Sequence, residues 1–333
     1  MDKFNIPVVL FVFKRLETVK MIVEQIKKVQ PSVIYLFSDA ARPSVENEIE
    51  KVKIVREYVQ KAVDWECKKK FYFADINKGC DKNIRDGLDR VFKEEPFAII
   101  FEDDAVPELC FFSYCEDLLN KYKDNKKIQY IAGFNGIGNR PVVKYDYTFG
   151  KTVPMSGAFA TWADRWNECD FEMRDWPTNK KNHKFDDVFF SKEMRRIYTM
   201  EFDKVYSRKT TSWDFIFEHD MLNKDRMVIA PKGNFATSYG YVEGAFHPQK
   251  EYATKKLIGM MTSVTKSVSF PLSHPPIIER DTNYDRERQK QSLGVRGGFV
   301  YRHVYEIYIV IKDWCYEHFP SVLWKAAKRL AGR

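Results

Sequence analysis

The sequence predicts an α/β fold, a mostly parallel sheet flanked by helices, with a helical tail at the C-terminus. Three observations predict it. Short runs rich in β-branched and aromatic residues alternate with helical patterns through the first 135 residues, as consecutive strand–helix–strand units require. One of these runs, Ala98-Ile99-Ile100-Phe101, passes directly into three acids, Glu102-Asp103-Asp104. The last sixth of the chain is apolar and basic at helical spacing.

The expected strands are residues 7–13, 33–37, 70–74, 97–101 and 128–132. Between the first two, Val19, Ile22, Val23, Ile26 and Val29 fall on one helical face, and between the next two Ile49, Val52, Val55 and Val59 do so. A third helix carries Ile84, Leu88 and Val91, and a fourth Phe112, Cys115, Leu119 and Tyr122. From Gly133 onward the pattern is less regular and rich in Trp, Tyr, Asp and Gly. We therefore expect one domain over residues 1–270, with a ligand-binding half to about 133 and a second-substrate half over about 134–270. Residues 269–291 read as a polar linker or extended arm, and residues 299–319 and 321–330 as basic amphipathic helices separated by Pro320.

Composition narrows the class. Hydrophobic residues make up 44%, aromatics 15% and charged residues 31%, which is globular rather than disordered or fibrous. The net charge is +8, and residues 281–333 hold ten Lys/Arg against six Asp/Glu, so half of the excess lies in the tail. That asymmetry suggests an anionic membrane surface as partner. No run of five basic residues and no zinc-finger or RNA-binding signature occurs, so nucleic acid is not expected. Six cysteines show neither CxxC spacing nor scaffold density and read as reduced. The apolar run at Ile6 to Phe13 is a strand rather than a signal peptide, and no stretch is long enough to span a bilayer. The expected location is cytoplasmic, peripheral at the inner face of the plasma membrane.

In open α/β sheets ligands bind beyond the carboxyl ends of the strands, so chemistry is sought just after each strand. Three adjacent carboxylates at Glu102-Asp103-Asp104 repel one another and need compensation. A Mg2+ or Mn2+ ion sharing its shell with substrate phosphates supplies it; a solvated acidic turn is the alternative. Arg15 follows the first strand, where it could meet phosphate or a base, and Asp39 follows the second, where it could accept from uracil or ribose. A surface ion pair is the plainer reading of that Arg. Gly79 permits an unusual turn at the start of the third helix, and Lys82 adds charge to an anion-friendly helix end, unless this is a plain capped turn. No glycine-rich loop follows the first strand, which disfavours dinucleotide-binding dehydrogenases and P-loop kinases. Downstream, Asp214 in Ser212-Trp213-Asp214 is a candidate general base or a helix N-cap. His247 in Gly244-Ala245-Phe246-His247-Pro248 is a candidate ligand or a structural histidine.

Taken in order, these segments resemble glycosyltransferases of the GT-A fold, above all bacterial family-2-like enzymes and more distantly the N-acetylglucosaminyltransferase I group. The resemblance covers residues 6–250 and runs through Phe11-Val12-Phe13-Lys14-Arg15, the Asp39 turn, Asn77-Lys78-Gly79-Cys80 and Ile100-Phe101-Glu102-Asp103-Asp104. It continues through Gly157-Ala158-Phe159-Ala160-Thr161-Trp162, Trp213-Asp214 and Gly240-Tyr241 with His247. It implies a Rossmann-like GT-A domain that uses Mn2+ or Mg2+ and inverts the anomeric centre of a nucleotide-diphosphate sugar, with a UDP-sugar favoured. Asp104 and His247 would bind the metal, and Glu102 and Asp103 would lie near the donor sugar and ribose. Arg15 and Asp39 would hold the nucleotide, and Asp214 would activate the acceptor hydroxyl. A glycan or glycolipid acceptor in bacterial surface polysaccharide synthesis follows from the same kinship. One departure is Ala40-Ala41-Arg42-Pro43, where relatives carry Asp-Gly-Pro-Arg. Two other readings of the residues are a sugar nucleotidylyltransferase, which normally needs the missing glycine-rich loop, and a non-catalytic nucleotide-sugar-binding protein at a membrane surface, which would not need Asp214.

Overall fold

The computed structural model describes residues 4–155, 157–240, 255–264 and 267–295. His247, Tyr241 and the two expected C-terminal helices lie outside the described residues. The first half reads β1 (Val8–Val12), α1 (Leu16–Val29), β2 (Val33–Ser38), α2 (Glu48–Ala62), β3 (Lys68–Phe73), α3 (Cys80–Val91) and β4 (Phe97–Glu102). The second half continues with β5 (Ala105–Pro107), α4 (Leu109–Tyr122), β6 (Ile128–Ala132), β7 (Tyr147–Gly150), β8 (Ala158–Trp162), α5 (Ala163–Asn167), α6 (Trp176–Lys181), α7 (Lys192–Tyr206) and α8 (Trp213–Asn223). It closes with β9 (Met227–Pro231), β10 (Ala236–Ser238), α9 (Lys255–Thr262) and α10 (Thr282–Val295).

Eight strands form one mixed sheet in the order β3-β2-β1-β4-β8-β6-β9-β7. β1 pairs parallel with both β2 and β4, and β8 runs antiparallel between β4 and β6. Six of the eight strands point the same way, since only β8 and β7 are reversed. Helices cover both faces, so successive side chains of β1 enter different cores. Val8, Leu10 and Val12 pack with Val19 and Ile22 of α1 and Phe111 of α4; Val9 and Phe11 pack with Ile84 and Leu88 of α3 and Phe217 of α8. Burying one such aliphatic side chain contributes about 1.5–3 kcal/mol.

α1 stops where Gln30 turns left-handed (φ 48°) and returns its N–H to Ile26 O, just before Pro31. α2 departs from its expected face. Ile49 is 61% exposed, and Glu48 takes its place in the buried row with Val52, Val55 and Val59. A carboxylate is tolerated there because Arg42 and Lys14 bind it.

The region expected to be irregular instead supplies β7, β8 and β9 to the same sheet, all buried. β8 carries two alanines, residues of low strand propensity, so its own composition announces it weakly. The expected linker also holds structure: residues 282–295 are helical, and Tyr284, Asp285 and Gln289 are buried. Asp285 accepts from Thr152 N, Thr152 Oγ1, Lys151 N and Arg280 Nε, and Tyr284 donates to Asn135 O. Polar residues buried through specific partners carry no hydrophobic period, which is why the segment reads as a linker. Tyr284→Ala is expected to cost about 3–5 kcal/mol, the range for emptying a large aromatic site. Urea titration of the full chain checks this, and a change below 1 kcal/mol would mean that α10 is not docked.

Among the described residues no helix is long and apolar enough to cross a membrane.

Candidate active site

From β1 the chain passes through α1 to β2 on one side, and from β3 it returns through α3 to β4 on the other side of β1. The order therefore reverses between β1 and β4, the place where open α/β sheets leave a crevice beyond their carboxyl ends. A cleft of about 130 Å3 lies there, walled by Phe11 and Ile84 and rimmed by Arg15, Cys80, Glu102 and Asp104. It is narrow enough to take a ring rather than a whole nucleotide sugar, so the rest of such a ligand would lie across its mouth.

The acids at the end of β4 differ in their surroundings. Asp103 is tied down: Arg15 Nη1 donates to its Oδ1 at 2.5 Å, Phe13 N donates to its Oδ2 at 3.1 Å, and Thr18 Oγ1 donates to its carbonyl. Burial pushes its carboxyl up to about 6, against the pull of Arg15. Held in this way at the cleft, the carboxylate pins the β1–α1 turn to β4. Arg15 is likewise committed to the acids, with Asp104 Oδ2 at 3.3 Å. Burial opposes its charge, but Asp103 and Asp104 outweigh that and raise its pKa further.

Asp104 is placed by backbone. A Cβ at Gly240 would come within 2.7 Å of its Oδ2, and one at Gly157 (φ +55°) within 3.2 Å of its Oδ1. Tyr239 N donates to Asp104 O at 2.7 Å, extending the antiparallel ribbon of β5 and β10 over the acids. Glu102 is pushed well above the usual carboxylate range, by burial first and then by Asp104, Asp214 and Asp103. Asp214 is thus near enough to act on Glu102. It is not the N-cap of α8, since Ser212 holds that position and the Ser212 hydroxyl donates to Asp214 Oδ1. A first-turn acid is favoured by the helix dipole.

Asp39 lines the cleft, and its carboxylate is held by the protein's own donors. Its Oδ1 accepts from Ala40 N and Lys78 N and its Oδ2 from Gly79 N and Asn77 Nδ2. A carboxylate has about four acceptor sites, and these four bonds make Asp39 a latch that closes the 77–79 loop. Gly79 needs its glycine: φ +80°, ψ 157° is reached by little else. Lys82 does not reach the cleft. Its side chain is 65% exposed and pairs with Asp86 at 3.1 Å, one turn along the outer face of α3.

The sequence reading missed the Glu48 cluster beside the cleft. Arg42 grips Glu48 in a fork, Nε to Oε2 at 2.8 Å and Nη2 to Oε1 at 2.6 Å, and Lys14 adds 2.8 Å to Oε1. In the departing Ala40-Ala41-Arg42-Pro43 segment, then, Arg42 anchors the loop to α2. The hydrogen bonds from Arg42 lower the Glu48 carboxyl to about 2. A carboxyl depressed in the fold contributes stability that is present above its unfolded value of 4.5 and is lost as pH falls from there toward 2. Acid titration of stability should fall through that window, and Glu48→Gln should flatten it; an unchanged acid slope would count against the pairing. Arg56, which donates to Ser38 O, Asp39 O and Ala74 O, was missed too, and only the structure reveals that it binds the ends of β2 and β3 together.

Whether a divalent cation fits is decided by charge. Glu102, Asp103 and Asp104 all act on the Arg15 guanidinium, while the nearby Lys14 and Arg42 bind Glu48. Among the described residues no three His, Cys, Asp or Glu side chains form a metal cluster. Mg2+ and Mn2+ sites that share substrate phosphates need only one or two carboxylates, and Asp104 with Glu102 meets that requirement.

No protein-family model matches the chain, and no curated protein is similar to it at a significant level. Among solved structures, a mannosyltransferase from Pyrobaculum calidifontis in complex with GDP-Man and Mn2+ is 9% identical with a TM-score of 0.31. The match covers 47% of this chain and 44% of that one, so the chain spans less than half the length of that structure. A likeness of this size carries no conclusion about the site, which rests on its own geometry.

Proposed function

We propose that this chain is a metal-dependent glycosyltransferase that moves a sugar from a nucleotide-diphosphate donor to a hydroxyl acceptor. The observation that carries the proposal is the gathering of Glu102, Asp103 and Asp104 with Arg15 at the switch-point cleft, with Asp214 near enough to act on Glu102. Asp104 and Glu102 would hold Mn2+ or Mg2+, with His247 a third ligand on the strength of the resemblance alone. The ion, when bound, supplies charge for the departing diphosphate.

The rest falls to the chain. Asp214 accepts the proton of the acceptor hydroxyl as its oxygen forms the bond to the anomeric carbon. The bond from that carbon to the diphosphate breaks, and its electron pair leaves with the nucleotide. One in-line displacement inverts the anomeric configuration. Arg15, locked by Asp103, keeps β4 and the β1–α1 turn in register, and Asp39 keeps the 77–79 loop closed at the donor side. A UDP-sugar is the first donor to test, and a glycan or glycolipid of a bacterial surface polymer is the acceptor class. The basic tail is assigned to an anionic membrane surface, the inner face of the plasma membrane. The experiment is release of nucleoside diphosphate from UDP- and GDP-sugars, with and without Mn2+ and with sugar acceptors. Metal-dependent release that acceptor accelerates supports the proposal; no release with any donor would refute it.

A further inference from the structure

Two ionisable side chains each bury an atom that has no hydrogen-bond partner: Oε1 of Glu218 and Nε of Arg288. Buried polar atoms are rarely left so, and each one calls for a water or a ligand. They come from different helices, α8 and α10, and Arg288 is near enough to act on the Glu218 carboxyl. No ion pair within 4.0 Å joins the two among the described residues.

The backbone makes room for Arg288. At Gly136 (φ +64°) a Cβ would lie 2.4 Å from Arg288 Nε and 2.6 Å from its Cδ. Gly136 follows β6, which runs in the same direction as β4, so Arg288 packs on the backbone at the same sheet edge as the donor cleft. Glu218 stands one turn after Asp214 on α8, on the same helix face. Asp214 is near enough to act on both Glu102 and Glu218, and Arg288 on Glu218, so the groups are neighbours.

We propose that Glu218 and Arg288 are the specificity-determining pair of the acceptor subsite, and that the acceptor is a hydroxylated anion. Arg288 takes its carboxylate or phosphate and Glu218 a neighbouring sugar hydroxyl. A guanidinium offers planar, forked donors that match either anion. A site built around such a donor rejects the neutral analogue, which would leave the donor buried and unpaired. Burial pushes the Glu218 carboxyl up to about 8, against its hydrogen bond with Tyr198; in its protonated form it can donate to a hydroxyl oxygen as well as accept. The assignment rests on Asp214 facing the acceptor in the proposed transfer.

The test is binding to the full chain of methyl glucuronide, glucose 6-phosphate and neutral methyl glucoside, with and without UDP and Mn2+. At least one anion should bind about 10-fold tighter than the glucoside, as a charge-assisted hydrogen bond implies, and the two anions separate carboxylate from phosphate. Arg288→Gln should erase the preference, Arg288→Lys should restore part of it, and Glu218→Gln should weaken all three sugars. Equal binding of charged and neutral sugars by the wild type, or a preference that survives in Arg288→Gln, would overturn the subsite. If Arg288→Gln fails to fold by circular dichroism, Arg288→Lys decides: it keeps the charge and loses the fork, and undiminished preference there overturns the forked contact. UDP–Mn2+ binding is read separately. Its absence with the anion preference intact ends the transferase reading alone, and the reverse ends the subsite alone.

Discussion

Asp214→Asn lowers turnover by about 10²–10⁴-fold, the usual contribution of a positioned general base, while donor affinity stays near that of the wild type. The expectation rests on where the side chain lies. Asp214 acts on Glu102, sits in the first turn of α8 rather than at its cap, and takes the Ser212 hydroxyl on Oδ1. Asn keeps the size of the group and still accepts from Ser212, but it cannot take a proton. Single-turnover kinetics with saturating donor measure the loss, and unchanged turnover would move the base elsewhere.

Asp104→Asn reduces Mn2+-dependent donor affinity by at least about 100-fold, since even residues behind a metal ligand cost up to that factor. The apoprotein should not be destabilised. Removing this charge relieves Glu102, whose carboxyl Asp104 helps to push up, and Arg15 keeps its closer partner Asp103. Calorimetric titration of UDP with and without Mn2+, beside a thermal melt of the metal-free protein, separates the two effects. Equal affinity in variant and wild type would remove Asp104 from the site, and a large fall in melting temperature would make it a structural residue.

Much of the architecture could be read in advance because it is written in apolar runs. The strands from Val8, Val33, Phe97 and Ile128 and the buried faces of α1, α3 and α4 all follow from hydrophobic period. The site was legible in outline for the same reason: a strand that ends in three acids puts them at a sheet edge whatever else the chain does. The roles of individual polar groups were not legible. Asp39 and Asp103 look like ligand contacts in the sequence, and nothing local in it shows that the protein's own N–H and guanidinium groups also bind them. Lys82 looks like a phosphate contact and faces outward to Asp86. Partners that lie far away in sequence, such as Arg15 with Asp103 or Thr152 with Asp285, leave no local pattern. Helix α10 was hidden because its buried face is built of Asp285, Gln289 and Gln291 rather than of aliphatic residues.

The central claim is that the acids at the β1–β4 switch point hold a nucleotide-diphosphate sugar through a divalent ion. A thermal-shift panel of UDP- and GDP-sugars on the full chain, each with Mn2+ and with EDTA, tests it most directly. A ligand at one hundred times its Kd stabilises the folded state by about 2.7 kcal/mol, so a bound donor raises the melting temperature visibly. The account predicts that at least one nucleotide sugar raises it with Mn2+ and not with EDTA, and that Asp104→Asn abolishes the rise. Stabilisation that is the same in Mn2+ and EDTA, or that persists in Asp104→Asn, would contradict it.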